Sequence, residues 1–378
     1  MRAAKLAGWD RRLRPLITRL PPRTVVSRYS RGRLGFLSLL NDEDPPKPYI
    51  PSEHLGRVLW GINFRSPIMN AAGMFKNGEC YAMVNNQGAA AFLGGTGTFN
   101  PRFGNEEDGI YLPFVPYPRS GAASNWLGLP NDGDIVNAAR VSEIERVSDC
   151  PVGWSVMGSP DFEGEEKLNK LVQGMEFYEA AGVDFLEINE SCPNTAHGKP
   201  QDDDLFDRLL YVKQNFLDSR VIFNRDRPIP VVIKFSNDTE VAQVKPLLDM
   251  LFDLGYDGVN FGNTSTDYKR HREAIVLGER RLYDFFTTDE AFGVGGGVSG
   301  RLLKQDSLEL AATAVQHVRA GPPSQEFHVI RTGGIESWDD IRQSENEGIS
   351  MNQWFTGYWE AFAKHGHDVY KSLYAEVT

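Results

Sequence analysis

The sequence reads as an α/β protein, a (β/α)8 barrel behind an N-terminal extension. Short apolar runs recur eight times after residue 67, segments of helical periodicity separate most of them, and the unusual polar residues gather just after the runs. Strand-then-helix repetition of this length closes as a parallel TIM barrel, whose chemistry stands in the loops at the C-terminal ends of the strands.

The runs are "IMNAA" (68–72), "AAFLGGT" (90–96), "PVGWSVM" (151–157), "DFLEIN" (184–189), "IPVVIKF" (229–235), "GVNFG" (258–262), "FHVIRT" (327–332) and "NQWFT" (352–356). A hairpin is expected ahead of them across "RVLWGINFRSP". Residues 164–181 place Leu168, Leu171, Val172 and Met175 on one helical face, and residues 302–319 do the same with Leu308, Ala311, Ala312 and Val315. A doubly wound sheet also alternates, but its dinucleotide site needs a glycine fingerprint straight after the first strand. Here the best match, Gly295 to Gly300, follows "TTDEAF", which is no buried strand.

The Pro- and acid-rich stretch "NDEDPPKPYIPSE" (41–53) is the one compositional boundary, so residues 1–54 are expected to form a basic extension with its linker and residues 55–378 the barrel. Residues 1–36 carry ten Lys or Arg against Asp10 alone, which leaves 30 basic and 50 acidic side chains, a net of −20, in residues 37–378. An acidic body of this kind excludes non-specific nucleic-acid binding as the function. The arm is Arg-rich like a transit peptide but lacks the apolar core and cleavage site of a secretory signal. Two fates are open to it: short amphipathic helices of residues 1–40 lying on a membrane surface, or a solvated tail packed on the body. No apolar run reaches the length of a membrane span. Three cysteines, Cys80, Cys150 and Cys192, without a C-x-x-C pair, argue against disulfide frameworks and thiolate metal sites and favour a reducing cytoplasm. A homodimer is left open.

The strand-end loops hold four kinds of signal. "RTGGIES" (331–337) and "FTGY" (355–358) close the last two strands, where barrels bind phosphate on backbone N–H groups and a helix N-terminus. Ser337 with Asp340 fits a capping box for the helix that follows. Either loop alone reads as a plain turn; the pair in adjacent positions reads as a phosphate site. Lys76 and Lys234 stand at the ends of the first and fifth strands, where fixed ammonium groups stabilise developing negative charge, as a flavin ring requires. Asn125, Asn189, Asn194 and Asn263, with Thr264 beside the last, offer paired donors and acceptors that match a ring edge alternating C=O and N–H, such as a pyrimidine-dione. Any one of them is more often a turn residue. Cys192 lies in the same polar loop as Asn189 and Asn194, and a thiol of ordinary pKa near ~8.5 needs only a modest shift to serve as a base. Cys80 and Cys150 read as structural.

These residues resemble the dihydroorotate dehydrogenases, FMN enzymes of pyrimidine synthesis, from about residue 57 to the C-terminus. "NESCPNTAHGKPQ" (189–201) is similar to that family's catalytic loop and "SNWLGLPN" (124–131) to its substrate loop, with support from "NAAGMFKNGE", "NTST", "GGVSG", "TGGI" and "TGY". The resemblance implies that Cys192 removes the C5 proton of dihydroorotate while a hydride passes from C6 to flavin N5. It implies that Lys76, Asn125, Asn189, Asn194, Asn263 and Thr264 hold the substrate. It also implies that Ala72, Gly73, Thr96, Asn189, Lys234, Gly300, Gly333, Gly334, Thr356 and Gly357 bind FMN. A cysteine base and "WLGLPN" resemble the soluble class, whereas "AAGMFKNGE", "NTST" and the N-terminal extension resemble the membrane-associated, quinone-reducing class. The electron acceptor is therefore a quinone or a soluble species. The alternative is another dihydropyrimidine or enone substrate on the same FMN barrel; Asn194 favours dihydroorotate, since the uracil-reducing relatives typically have His there.

Overall fold

In a computed structural model, residues 2–147, 149–190, 204–220, 228–289 and 291–375 are described. Eight parallel strands form one sheet: β1 (Ile68–Asn70), β2 (Phe92–Gly97), β3 (Val152–Val156), β4 (Phe185–Asn189), β5 (Val231–Ser236), β6 (Gly258–Asn263), β7 (His328–Thr332) and β8 (Met351–Trp354). From β2 to β8 each pairs with its neighbour in sequence, and β8 returns to pair with β1. All eight fall on the expected runs.

The seam between β1 and β2 is closed in part by a side chain. Ala90 N–H donates to Ile68 O at 2.9 Å and Gly73 N–H to Gly95 O at 2.7 Å. Between these two bonds Asn70 stands in for backbone, its Nδ2 donating to Leu93 O at 2.7 Å and its Oδ1 accepting from Leu93 N–H at 3.2 Å. An amide carries one donor and one acceptor at the spacing of a peptide, so it can mimic a ladder rung.

The predicted hairpin, Arg57–Leu59 with Ile62–Phe64, stops the N-terminal end of the barrel. Its turn residues Trp60 and Gly61 have φ of 53° and 69°, the doubly positive pattern of a type I′ turn. Trp60 Nε1 donates to Asp257 O at 2.9 Å, just ahead of β6. Leu59, Trp60 and Phe64 pack with Met69, Leu93, Phe185, Val232, Ile330 and Met351, which seals this end with apolar contact.

The other end carries a three-stranded antiparallel sheet, Phe114–Tyr117, Ala122–Asn125 and Gly297–Gly300. Beside it lies the N-terminal arm, folded into α1 (Ala3–Ile17) and α2 (Pro22–Asn41). Pro21 and Pro22 break the chain between them, and Pro22 opens α2, where a missing N–H costs nothing. α1 packs on the helix Thr356–His365, and α2 on the strand Phe114–Tyr117 and the helix Leu277–Thr287. Ala3, Ala7, Val25, Val26 and Leu40 are buried by this docking. The arm is helical and packs on the body. Trp9, Leu13, Leu16 and Leu20 nevertheless remain exposed. Among the described residues no helix is long and apolar enough to cross a membrane.

Candidate active site

The strand ends, the small sheet and the arm enclose one cavity of about 640 Å³. Fourteen of the expected site residues line it. Ala72, Gly73 and Lys76 follow β1, Thr96 lies on β2, Asn189 ends β4 and Lys234 lies on β5. Asn263 ends β6 and Thr264 follows it, Gly333 and Gly334 follow β7, and Thr356 and Gly357 follow β8. Asn125 and Gly300 arrive from the small sheet. Cys192 and Asn194 lie outside the described residues.

The amides are oriented by one another. Asn263 Nδ2 donates to Asn189 Oδ1 at 2.6 Å, and Asn189 Nδ2 points to Thr96 Oγ1 at 3.4 Å, which in turn meets Ser155 Oγ at 3.0 Å. The chain of contacts crosses β6, β4, β2 and β3, so closure of the barrel aligns side chains far apart in sequence. Lys76 is set by its own loop, because the Glu79 carboxylate accepts from the backbone N–H of Lys76 at 3.2 Å and of Asn77 at 2.6 Å. Lys234 is buried, with Nζ 3.3 Å from Glu187 Oε1 and 3.5 Å from Gln353 Oε1.

The phosphate-type corner is built from Gly300, the Gly333–Gly334 turn and the start of the helix Thr356–His365. Ser307 Oγ donates to Gly333 O at 2.8 Å, which fixes that peptide. The Ser337/Asp340 capping box is formed as expected: Asp340 Oδ2 accepts from Ser337 N–H at 3.1 Å. Beneath it the buried Arg331 donates to Lys304 O at 2.9 Å, Asp340 O at 3.1 Å and Ser344 Oγ at 2.9 Å. Burial pushes the Arg331 guanidinium pKa down to about 10. Arg331 therefore ties the helices on both sides of the glycine turn.

The arm completes the opposite half of the cavity, which sequence reasoning left unassigned. Phe36 and Leu37 of α2 and Leu6, Leu13 and Ile17 of α1 give it an apolar wall. Within that wall Arg14 pairs with Asp10 at 2.6 Å and with Glu360, and Tyr29 Oη donates to Asp10 Oδ1 at 3.1 Å. Burial and then Asp10 push the Tyr29 pKa up, so this phenol stays protonated. Arg33 also lines the cavity, and its guanidinium makes no hydrogen bond or ion pair among the described residues. Burial pushes its pKa down to about 10, against the opposing field of Glu79.

Sequence reasoning also missed Glu187, Asn260 and Gln353, which sit inside the barrel beneath Lys234. A signal was available: each is a polar residue in the middle of an apolar run. Cys80 and Cys150 behave as structural thiols, since burial pushes each up to about 12 and keeps the thiolate out of reach.

The family model described as dihydroorotate dehydrogenase matches residues 54–377. A protein named dihydroorotate dehydrogenase (quinone) from Photobacterium profundum is 28% identical over 321 residues, covering 83% of this chain and 84% of the relative. One of the same name from Methylococcus capsulatus is 26% identical over 356 residues, covering 93% and 94%. The solved ligand-free DHODH from Eimeria tenella superposes with a TM-score of 0.74 at 20% identity, covering 92% of this chain and 93% of that one, and shares the fold. With its barrel matched from end to end by that family model, the chain belongs to the dihydroorotate dehydrogenase family.

Proposed function

We propose that the protein oxidises dihydroorotate to orotate in pyrimidine synthesis, with FMN as its resident cofactor and a quinone as electron acceptor. The observation that carries this reading is convergence: fourteen residues spread from Ala72 to Gly357 meet on one cavity, and the arm supplies its remaining wall.

The residues fit FMN. The corner at Gly300, Gly333, Gly334 and Gly357 offers backbone N–H groups and a helix N-terminus without side chains in the way, the chemistry that holds a phosphate. Lys234 and the Thr96/Asn189 pair would meet the polar edge of the ring. When bound, FMN supplies the acceptor for the hydride leaving C6 of the substrate. Asn125, Asn189, Asn263 and Thr264 would then orient the substrate ring through its alternating C=O and N–H edge, together with Asn194. Lys76 would hold the substrate carboxylate. Cys192, three residues beyond Asn189 in the sequence, would take the C5 proton.

For the acceptor, the support is the apolar wall of α1 and α2 on the same cavity and the quinone named in the relatives' titles. Arg33 would anchor an acceptor oxygen there. The exposed stripe Trp9, Leu13, Leu16 and Leu20, flanked by Arg11, Arg12 and Arg19, would rest on an anionic membrane surface of the cytoplasmic side. Residues 1–54 thus act as the acceptor module and residues 55–378 as the catalytic barrel.

The test is one pair of spectra. Purified protein should be yellow, and its flavin should bleach anaerobically on addition of dihydroorotate. Flavin that binds and stays oxidised would transfer the reading to another dihydropyrimidine or enone.

A further inference from the structure

Beneath the cavity lies a polar cluster of side chains contributed by five strands. Glu187 on β4 is 1% exposed and does not line the cavity, whereas Lys234 does. The Glu187 carboxylate accepts from Lys234 Nζ at 3.3 Å on Oε1 and from both Asn260 Nδ2 and Gln353 Nε2 at 2.9 Å on Oε2. Thr332 Oγ1 meets Asn260 Oδ1 and Gln353 Oε1, each at 3.0 Å, and Lys234 Nζ is 3.5 Å from Gln353 Oε1.

The orientation of this cluster is dictated by charge. Both amides turn their NH2 groups to Glu187 Oε2 while the Lys234 ammonium faces Oε1, so donors meet both oxygens of the carboxylate. A buried ion pair is a poor stability device, because an apolar replacement of equal volume does as well or better, while removing one partner strands the other. The cluster is therefore better read as a device for the ligand above it. We propose that Glu187 is a positioning residue that fixes the Lys234 ammonium at the cavity floor and offsets its charge, thereby setting how much more tightly the pocket holds reduced FMN than oxidised FMN. This rests on the flavin reading of the preceding section.

The sign follows from electrostatics. Reduced FMN carries an extra negative charge on its ring, and the ammonium favours it while the carboxylate behind the ammonium opposes it. Removing the carboxylate charge leaves Lys234 uncompensated and shifts the balance toward reduced FMN. At an effective dielectric of about 20, withdrawing one unit charge from beneath the cavity floor shifts that ratio by on the order of tenfold. For a two-electron couple, tenfold is about 30 mV in the positive direction.

The experiment measures the midpoint potential of bound FMN, by anaerobic equilibration with a reference dye, in the wild type, Glu187→Gln, Lys234→Met and the double variant, with thermal unfolding alongside. Glu187→Gln should raise the reduced-to-oxidised affinity ratio about tenfold, and the same change in the Lys234→Met background, where a buried carboxylate stripped of its cation neutralises and has no charge to lose, should have no effect. Should Glu187→Gln not fold, Glu187→Asp, which withdraws the charge by one methylene, should shift the ratio the same way by a smaller factor. A folded variant with bound FMN and an unaltered potential overturns the proposal, as does an equal shift with and without Lys234. A wild-type chain that takes up no flavin defeats the functional reading instead, and the proposal with it.

Discussion

Replacing Gly334 with alanine tests the phosphate corner most directly. Gly334 has φ of 71°, a conformation that costs an alanine about 1–2 kcal/mol. Its added Cβ would lie 2.5 Å from Lys304 Cα and 2.6 Å from Lys304 N, where ordinary contact begins at 3.4 Å. The opposing atoms are backbone, and Arg331 holds the Lys304 carbonyl at 2.9 Å, so the glycine turn must retreat by about 0.9 Å, the difference between contact and overlap. A retreat of that size removes one charge-assisted hydrogen bond to a phosphate, about 1.5–3 kcal/mol, and should weaken FMN binding about 10- to 100-fold. Riboflavin has the same ring and no phosphate, so its affinity should change far less. The assay is fluorescence titration of apoprotein with both flavins. If Gly334→Ala weakens FMN and riboflavin by the same factor, or neither, the turn after β7 does not hold the phosphate and the argument from its geometry fails.

Other expectations follow from the same structure. Cys192→Ala should retain FMN yet slow anaerobic bleaching by dihydroorotate about 10²- to 10⁴-fold, as loss of a general base does, and stopped-flow absorbance that stays near the wild-type rate would remove the thiol from the mechanism. Deleting residues 1–40 should lower quinone-dependent turnover while dihydroorotate still bleaches the flavin; equal quinone rates with and without the arm would dismiss it as the acceptor module. Asp134 is buried with its carboxyl accepting from Tyr178 Oη at 2.8 Å, and burial pushes its pKa up to about 7. A folded pKa raised above the unfolded value near ~3.9 binds more protons in the folded state, so its stabilising contribution is complete below pH ~4 and is lost as pH rises through about 7. Asp134→Asn should therefore gain on the wild type between pH 5 and pH 8, by on the order of 3 kcal/mol in denaturant melts, and a difference that is flat with pH would refute the buried-acid assignment.

The barrel was legible in the sequence because its signal is local. Eight apolar runs mark strands, Gly and Pro mark their ends, and the expected hairpin at Trp60–Gly61 needs only two residues able to take positive φ. The capping box at Ser337 and Asp340 is likewise a three-residue spacing. Strand-end position then told which loops would face one another, so Lys76, Asn125, Lys234 and Asn263 could be grouped before any coordinates.

What the tertiary structure alone decided is the pairing of groups that no spacing connects. Glu187 reads as an oddity in "DFLEIN" until β5, β6 and β8 bring Lys234, Asn260 and Gln353 to its two oxygens. Asn70 reads as a lone polar residue in the run "IMNAA" until the closed sheet places Leu93 against it as the last rung. The arm read as helix or tail, on a membrane or on the body, because amphipathicity states that a face must be covered and not what covers it. Periodicity and turn chemistry are properties of a few consecutive residues, so they survive in the linear text. Charge compensation and cavity walls depend on distances across a closed barrel, and those exist only once the chain has come back on itself.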